Sequence, residues 1–266
     1  MKPFLKWAGG KYKIIDRIIR VLPQGTRLIE PFAGSSAVFL NTKYEKYLIA
    51  DSNIDLINVY KQLKKDGTDF IAYCNELFIK ANNKEKVFYR LREEFNTISD
   101  STRKAALFIY LNRHCFNGLC RYNSRGLFNV PFGSYKNPPF PEKEMLDFVK
   151  KSKKAQFMAA DFVETMGKAV VGDVIYCDPP YVPLTETSNF TNYTGSGFGQ
   201  QEQDKLVALA KKLANKGIPV IISNHDTDFT RNSYSSAQID FFDVRRFISS
   251  KVTQRNKVSE LLAVFA

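Results

Sequence analysis

Thr26-Arg27-Leu28-Ile29-Glu30 runs into Pro31-Phe32-Ala33-Gly34-Ser35-Ser36, then the apolar run Ala37-Val38-Phe39-Leu40, then Tyr47-Leu48-Ile49-Ala50-Asp51. Short apolar runs of this kind read as strands, and the glycine turn before a further apolar run reads as the start of a helix. Strand, glycine turn, helix and second strand make the opening unit of a parallel α/β sheet. A turn in that place aims backbone N–H groups at a ligand. Asp51, at the tip of the second strand, suits bidentate acceptance from ribose hydroxyls. No lysine of the G-K-[ST] kind follows the turn, which argues against a nucleoside triphosphate cradle. A cofactor with a nucleoside but few phosphates fits better, and S-adenosylmethionine is such a molecule.

The same rhythm returns later in the chain. Ala155-Gln156-Phe157-Met158 reads as a strand tipped by Asp161-Phe162, and 173–177 as another. A helix over 200–214 ends at Lys216-Gly217, followed by the strand Pro219-Val220-Ile221-Ile222-Ser223-Asn224 and a final pair over 239–244 and 261–266. About seven strands with helices between them predict a doubly wound, mostly parallel sheet. Residues 53–113 break the alternation. Their apolar stripes, such as Phe70, Tyr73 and Leu77 or Phe88, Leu91 and Phe95, have helical spacing and predict an inserted helical subdomain.

Val174-Ile175-Tyr176-Cys177-Asp178-Pro179-Pro180-Tyr181 is a buried strand that stops at an acid. Two prolines then prevent the ladder from continuing, because proline has no N–H and a fixed φ. Taken alone, this stretch is either a rigid capping loop or a ligand site at the carboxyl edge of the sheet, where open α/β sheets bind ligands. Phe4-Leu5-Lys6-Trp7-Ala8-Gly9-Gly10-Lys11 leaves two readings as well. Trp7 either pins the amino terminus to the core or offers a flat face to a purine.

The chain of 266 residues is 44% hydrophobic and carries a net charge of +12, so it has a real core and favours an anionic partner, nucleic acid first. Residues 101–141 contain no acid but include Arg103, Lys104, Arg113, Arg121, Arg125 and Lys136. Residues 244–259 repeat the pattern with Arg245, Arg246, Lys251, Arg255 and Lys257. Such stretches suit phosphate contact. Asn-Gly and Arg-Gly turns within 112–135 predict a basic β-hairpin. It either enters a DNA groove, with Arg121 on a guanine edge and an aromatic ring as wedge, or is a solvated hairpin with ordinary packing. The cysteines, Cys74, Cys115, Cys120 and Cys177, form no C-x-x-C pair, and only His114 and His225 join them, so no metal site is expected. His225 reads as a structural or pocket-rim residue rather than a catalyst. No membrane span or leader follows Met1-Lys2-Pro3-Phe4, and the expectation is a cytoplasmic monomer.

Chemically, an exocyclic base amine is a poor nucleophile because its lone pair is delocalised into the ring. Asp178 and a proline carbonyl can accept both N–H protons and localise that pair, while Tyr181 stacks on the base. Attack on a sulfonium methyl then needs alignment and charge balance only.

With these motifs in this order, the chain resembles the bacterial DNA adenine-N6 methyltransferases of the Dam type, which methylate GATC. The resemblance rests on Lys6-Trp7-Ala8-Gly9-Gly10-Lys11, Glu30-Pro31-Phe32-Ala33-Gly34, Ala50-Asp51, Asn117-Gly118-Leu119-Cys120-Arg121-Tyr122-Asn123, Asp178-Pro179-Pro180-Tyr181 and Ile222-Ser223-Asn224-His225-Asp226. It covers nearly the whole chain, and the order of motifs is that of the alpha group of amino-methyltransferases. It implies a class I S-adenosylmethionine-dependent methyltransferase fold with an inserted DNA-recognition subdomain. The catalytic part would be 1–55 and 140–266, and the target-recognition part 56–139. Trp7, Lys11, Phe32, Gly34 and Asp51 would line the S-adenosylmethionine site, with Asp161 and Phe162 at its adenine edge and Asp178 bordering it. Asp178, Pro179 and Tyr181 would hold a flipped adenine of double-stranded DNA. Lys6, Leu119, Arg121 and Pro131 would read bases, Arg121 foremost on guanine, while Phe116 and Asn117 fill the space left behind. The pattern departs from the family at Ser36, which replaces the last glycine of F-x-G-x-G, and at Ser134, where relatives often carry a phosphate-contacting arginine. The first predicts a helix start less close to the cofactor, the second weaker backbone clamping. The alternatives are an amino-methyltransferase acting on cytosine N4 or ribosomal RNA, and a catalytically silent DNA-binding module.

Overall fold

The computed structural model describes residues 1–182, 198–245 and 257–266. The strands β1 (Arg27–Glu30), β2 (Lys46–Asp51), β3 (Ala155–Ala159), β4 (Asp173–Cys177), β5 (Val220–His225), β6 (Gln238–Arg245) and β7 (Lys257–Phe265) form one seven-stranded sheet in the order β3-β2-β1-β4-β5-β7-β6. The first five pair in parallel, and β7 runs antiparallel between β5 and β6. Strand order reverses between β1 and β4, and Arg27 clamps that seam. It pairs with Lys46 on one side and Asp173 on the other, and its guanidinium grips the Asp173 carboxylate at 3.0 and 2.5 Å. The opposite, carboxyl ends of β1 and β4 therefore open a crevice that carries Gly34 and Asp178, the place where doubly wound sheets bind ligands.

Helices cover both faces because successive side chains alternate. Leu28, Ile49, Val174 and Tyr176 join the core on one face, with α1 (Ile15–Val21), α2 (Ala37–Asn41), α3 (Ile54–Asn75, broken at Gly67) and α6 (Glu142–Ser152). Ile29, Leu48, Ile175 and Cys177 join the core on the other, with α7 (Phe162–Met166), α8 (Gln200–Ala214) and α9 (Asp228–Ser233). Strands covered on both faces become the uniform apolar runs seen in the sequence.

Between β2 and β3 stand α4 (Glu85–Thr97) and α5 (Ser101–His114), with α5 packed on α3 and α4 packed on α5. Phe88, Phe95 and Phe108 share one apolar core with Leu28, Ile49 and Val174 of the strands, so the insertion is continuous with the sheet. The expected hairpin after α5 differs from a regular ladder. It closes through isolated antiparallel bridges, Cys115 with Phe132 and Tyr122 with Phe128. A 3-10 turn over Phe116–Gly118, with Asn117 at φ 54°, interrupts the pairing, because a left-handed residue cannot extend a strand. Asn96 of α4 secures the tip by bonding both the N–H and the carbonyl of Phe128 at 2.8 and 3.1 Å. Of the second acid-free stretch, residues 246–256, with Arg246, Lys251 and Arg255, lie outside the described residues. Among the described residues no helix is long and apolar enough to cross a membrane.

Candidate active site

The turn after β1 is held from three sides. Asp51 accepts the Gly34 N–H on Oδ2 at 3.0 Å and the Asn53 N–H on Oδ1 at 2.9 Å. Tyr60 of α3 donates its hydroxyl to the Gly34 carbonyl. Trp7 lies directly against the glycine: a Cβ on Gly34 would stand 2.8 Å from the indole Nε1. The indole is thus anchored on the turn after β1. Burial pushes the Asp51 carboxyl above its usual pKa, against the two backbone bonds. A carboxylate has about four lone-pair sites, so two remain for ribose hydroxyls. Ser36 takes φ 57°, the left-handed conformation glycine would favour, so the turn keeps its shape at a cost of about 1–2 kcal/mol.

Beside this cradle Phe32 stacks on Phe162 at 5.6 Å, and Phe198 meets both rings at 5.5 and 5.6 Å. Asp161 caps α7 by accepting the Glu164 N–H at 2.7 Å, which fixes its carboxylate at the end of β3. A glycine cradle that a methyl group would fill, a strand-tip carboxylate and an adjoining aromatic group fit the nucleoside part of S-adenosylmethionine.

At the end of β4 the Asp178 carboxylate is placed by two donors. Lys11 Nζ and Ser223 Oγ stand 2.9 Å from the same oxygen, Oδ1. Ser223 is in turn bonded by the buried Tyr176 hydroxyl at 3.2 Å. Lys11 also donates to the Gly9 carbonyl at 2.6 Å, and its ammonium lies 4.4 Å from the Tyr181 ring centre. Burial works against that ammonium, but Asp178 first, then Tyr176 and Glu260, outweigh it and hold the pKa above the ordinary lysine value. The turn itself is braced by Gln203, which donates to the Pro180 carbonyl at 2.8 Å, and by Asn224, which accepts the Val182 N–H at 3.0 Å. Burial, reinforced by the charges of Asp178 and Glu260, pushes the Tyr181 hydroxyl well above its usual pKa, so it stays protonated and donates to Glu260 at 3.2 Å. His225, itself buried, meets the Tyr181 ring edge-on at 4.7 Å.

The residues expected to read DNA gather around the hairpin root. Lys6 Nζ lies 4.1 Å from the Tyr135 ring centre, and Tyr135 accepts the Asn117 N–H at 2.9 Å. Gly118 packs so closely on Lys6 that a Cβ there would meet its side chain at 2.4 Å. Phe116 is 50% exposed, and its N–H bonds the Pro131 carbonyl at 2.9 Å. Leu119 is half-buried, and its carbonyl accepts Cys115 Sγ at 3.3 Å. Arg121 is exposed, with Nε on Asn129 Oδ1 at 2.8 Å. Ser134, also exposed, takes φ 52°. Asn53 joins this region to the cofactor side, donating to Cys120 Sγ at 3.4 Å while its N–H holds Asp51. The amino-terminal segment joins all three parts: Lys6 on the hairpin, Trp7 on Gly34 and Lys11 on Asp178.

Three site groups take no role from the sequence alone, although Ser223 and Glu30 stand inside motifs that carry the resemblance. Ser223 and Glu260 reach the turn only through strand pairing. Glu30 is fully buried at the end of β1, its Oε1 without a partner among the described residues, and burial pushes its pKa up to about 8.

Comparison with known proteins agrees with this geometry. Residues 7–247 match the family described as D12 class N6 adenine-specific DNA methyltransferase. The DNA adenine methylase of Serratia marcescens is 51% identical over 265 residues, covering 99% of this chain and 98% of that protein. Those of Vibrio cholerae (strain ATCC 39315) and Escherichia coli (strain K12) are 49% and 48% identical, each over 99% of this chain and 96% and 95% of theirs. A match over nearly the full length of both partners decides between the alternatives left by the sequence, and the chain belongs to the D12 class of N6 adenine-specific DNA methyltransferases.

Proposed function

We propose that this DNA adenine methyltransferase takes its methyl group from S-adenosylmethionine and places it on N6 of adenine in GATC of duplex DNA, turning the base out of the helix. The observation that carries this reading is the position of Asp178. Its carboxylate stands at the crevice between β1 and β4, next to the Gly34–Asp51 cradle, and is oriented there by the Lys11 ammonium at 2.9 Å.

Bound S-adenosylmethionine supplies a methyl group on a positively charged sulfur, an electrophile that needs no further activation. Gly34, Asp51, Trp7 and Lys11 border its site, with Phe32, Asp161 and Phe162 toward the adenine end. Asp178 and the Pro179 carbonyl accept the two N–H groups of the target amine and so localise the nitrogen lone pair. The same carboxylate stabilises the positive charge that develops on N6, and the N6 proton that must leave after transfer passes along its hydrogen bond to Asp178 and on to solvent. Tyr181 stacks on the base and aligns it, and alignment of this kind lowers the barrier without a covalent intermediate.

Extruding the adenine costs a few kcal/mol, recovered through stacking and hydrogen bonds in the pocket. Phe116, exposed beside Asn117, fills the gap in this reading, and its exposure supports that role. Residues 56–139 act as the recognition part, and 1–55 with 140–266 as the catalytic part. Arg121 reads guanine O6 and N7 with its terminal nitrogens while Asn129 holds Nε. Lys6, Leu119 and Pro131 complete the reading surface.

The test is transfer of labelled methyl from S-adenosylmethionine to duplexes carrying GATC or one of its single-base variants. Digestion by nucleases that distinguish methylated from unmethylated GATC locates the product. Label in GATC alone supports the reading; equal label in the variants overturns the assigned target.

A further inference from the structure

Glu260 is the one acid in β7, between Ser259 and Leu261, and it faces His225 of β5 in the strand register. A half-buried carboxylate is costly unless it is hydrogen-bonded. Here its Oε2 accepts the Tyr181 hydroxyl at 3.2 Å. The rest of that ring is also braced. His225 meets it edge-on with planes 79° apart, and is itself fixed by Nδ1, 2.7 Å from the Val182 carbonyl. The backbone on either side is tied by Gln203 at Pro180 and Asn224 at Val182. A tyrosine side chain has two rotatable torsions. A bond at its far end and a wall at its edge therefore set both the tilt and the plane of the ring.

We propose that Glu260 is a positioning residue for methyl transfer: it tethers the Tyr181 hydroxyl so that the ring stands in the plane on which the target adenine stacks. The proposal rests on the reading that adenine leaves the duplex and enters the Asp178 turn. Glu260 then acts through Tyr181 on the alignment of the reacting nitrogen, and its loss lowers kcat rather than DNA affinity.

The experiment compares kcat and KM for DNA of the wild type, Glu260→Ala, Glu260→Gln, Tyr181→Phe and the double variant Glu260→Ala with Tyr181→Phe on a GATC duplex. In parallel, 2-aminopurine at the target position reports extrusion by its fluorescence. Each of Glu260→Ala and Tyr181→Phe is expected to lower kcat about tenfold, the scale of one aligned hydrogen bond, with KM changed by less than about twofold. The double variant falls no further than either single one, and Glu260→Gln, which still accepts a hydroxyl hydrogen bond, recovers most of the rate. Tyr181→Phe, which keeps the Glu260 side chain and the ring, guards against a folding defect in Glu260→Ala. Wild-type kcat in Tyr181→Phe, or losses that multiply in the double variant, overturns the tether. No rise in fluorescence with the wild type overturns the extruded base, and the tether with it.

Discussion

Replacing Gly34 with alanine tests whether the turn after β1 is a cradle packed to contact. The residue has φ +44°, where an L side chain costs about 1–2 kcal/mol. Its new Cβ would stand 2.8 Å from Trp7 Nε1 and 2.9 Å from Cδ1. Ordinary contacts between such atoms lie at about 3.5–4.0 Å, so either the indole or the turn must move. Moving the turn stretches the 3.0 Å bond from Gly34 N–H to Asp51, whose loss costs about 1 kcal/mol. The sum is on the order of 2–3 kcal/mol, or roughly 30- to 150-fold in an equilibrium constant. It divides between folding and cofactor affinity, because turn and indole serve both. Calorimetric titration with S-adenosylmethionine and thermal unfolding of the same variant separate the two shares. Kd is expected to rise at least about tenfold and Tm to fall by about 2–4 °C for each kcal/mol charged to folding. A variant with Kd within about twofold of wild type and an unchanged Tm would refute the packed cradle.

Three further outcomes follow from the charges. Arg121→Ala should lose about 1–3 kcal/mol of discrimination at one guanine of the site; unchanged ratios between GATC and near-cognate duplexes would remove Arg121 from the readers. Glu30 is held protonated by burial, its pKa raised from 4.5 to about 8. A raised acid favours the fold in full below its unfolded pKa, and that contribution is lost as pH rises from about 4.5 through about 8. Glu30→Gln, neutral throughout, should therefore be more stable than wild type at pH 8, with the gap closing toward pH 5; parallel Tm curves for the two proteins would contradict the assignment. DNA affinity should fall steeply with salt in a log–log plot, and a flat plot would deny the hairpin its phosphate contacts.

How much was legible in the chain depended on whether a feature is local. Val174-Ile175-Tyr176-Cys177 and Val220-Ile221-Ile222 announced themselves because both faces of a central parallel strand are covered, which leaves no polar alternation. The helix over 200–214 was equally plain, with Gly217 just beyond its end at φ +75°. The stretch after α5 was harder. Its turns are written locally, but its shape depends on Asn96, which reaches back to Phe128 from another helix. Ser36 shows the limit of reading a motif by residue type, since serine occupies the left-handed conformation that the missing glycine would have supplied. The contacts around Asp178 were the least visible. Lys11 comes from the amino-terminal segment, Ser223 from β5 and Glu260, which reaches the neighbouring Tyr181, from β7, and only the tertiary fold brings them together.

Under the proposed mechanism, methyl transfer at this site requires Asp178 to hold the amine that is methylated. Asp178→Ala is a poor probe, because it strands the buried Lys11 ammonium and removing one partner of such a pair costs about 3–5 kcal/mol. Asp178→Asn keeps an oxygen for Lys11 and Ser223 while halving the acceptors and removing the charge. Single-turnover methyl transfer by this variant, at saturating S-adenosylmethionine and GATC duplex, is the most direct measurement. The predicted result is a rate lower by about 10²–10³, the scale of one aligned electrostatic contact in a transition state, with both binding constants within about threefold of wild type. A rate within about twofold of wild type would contradict the account.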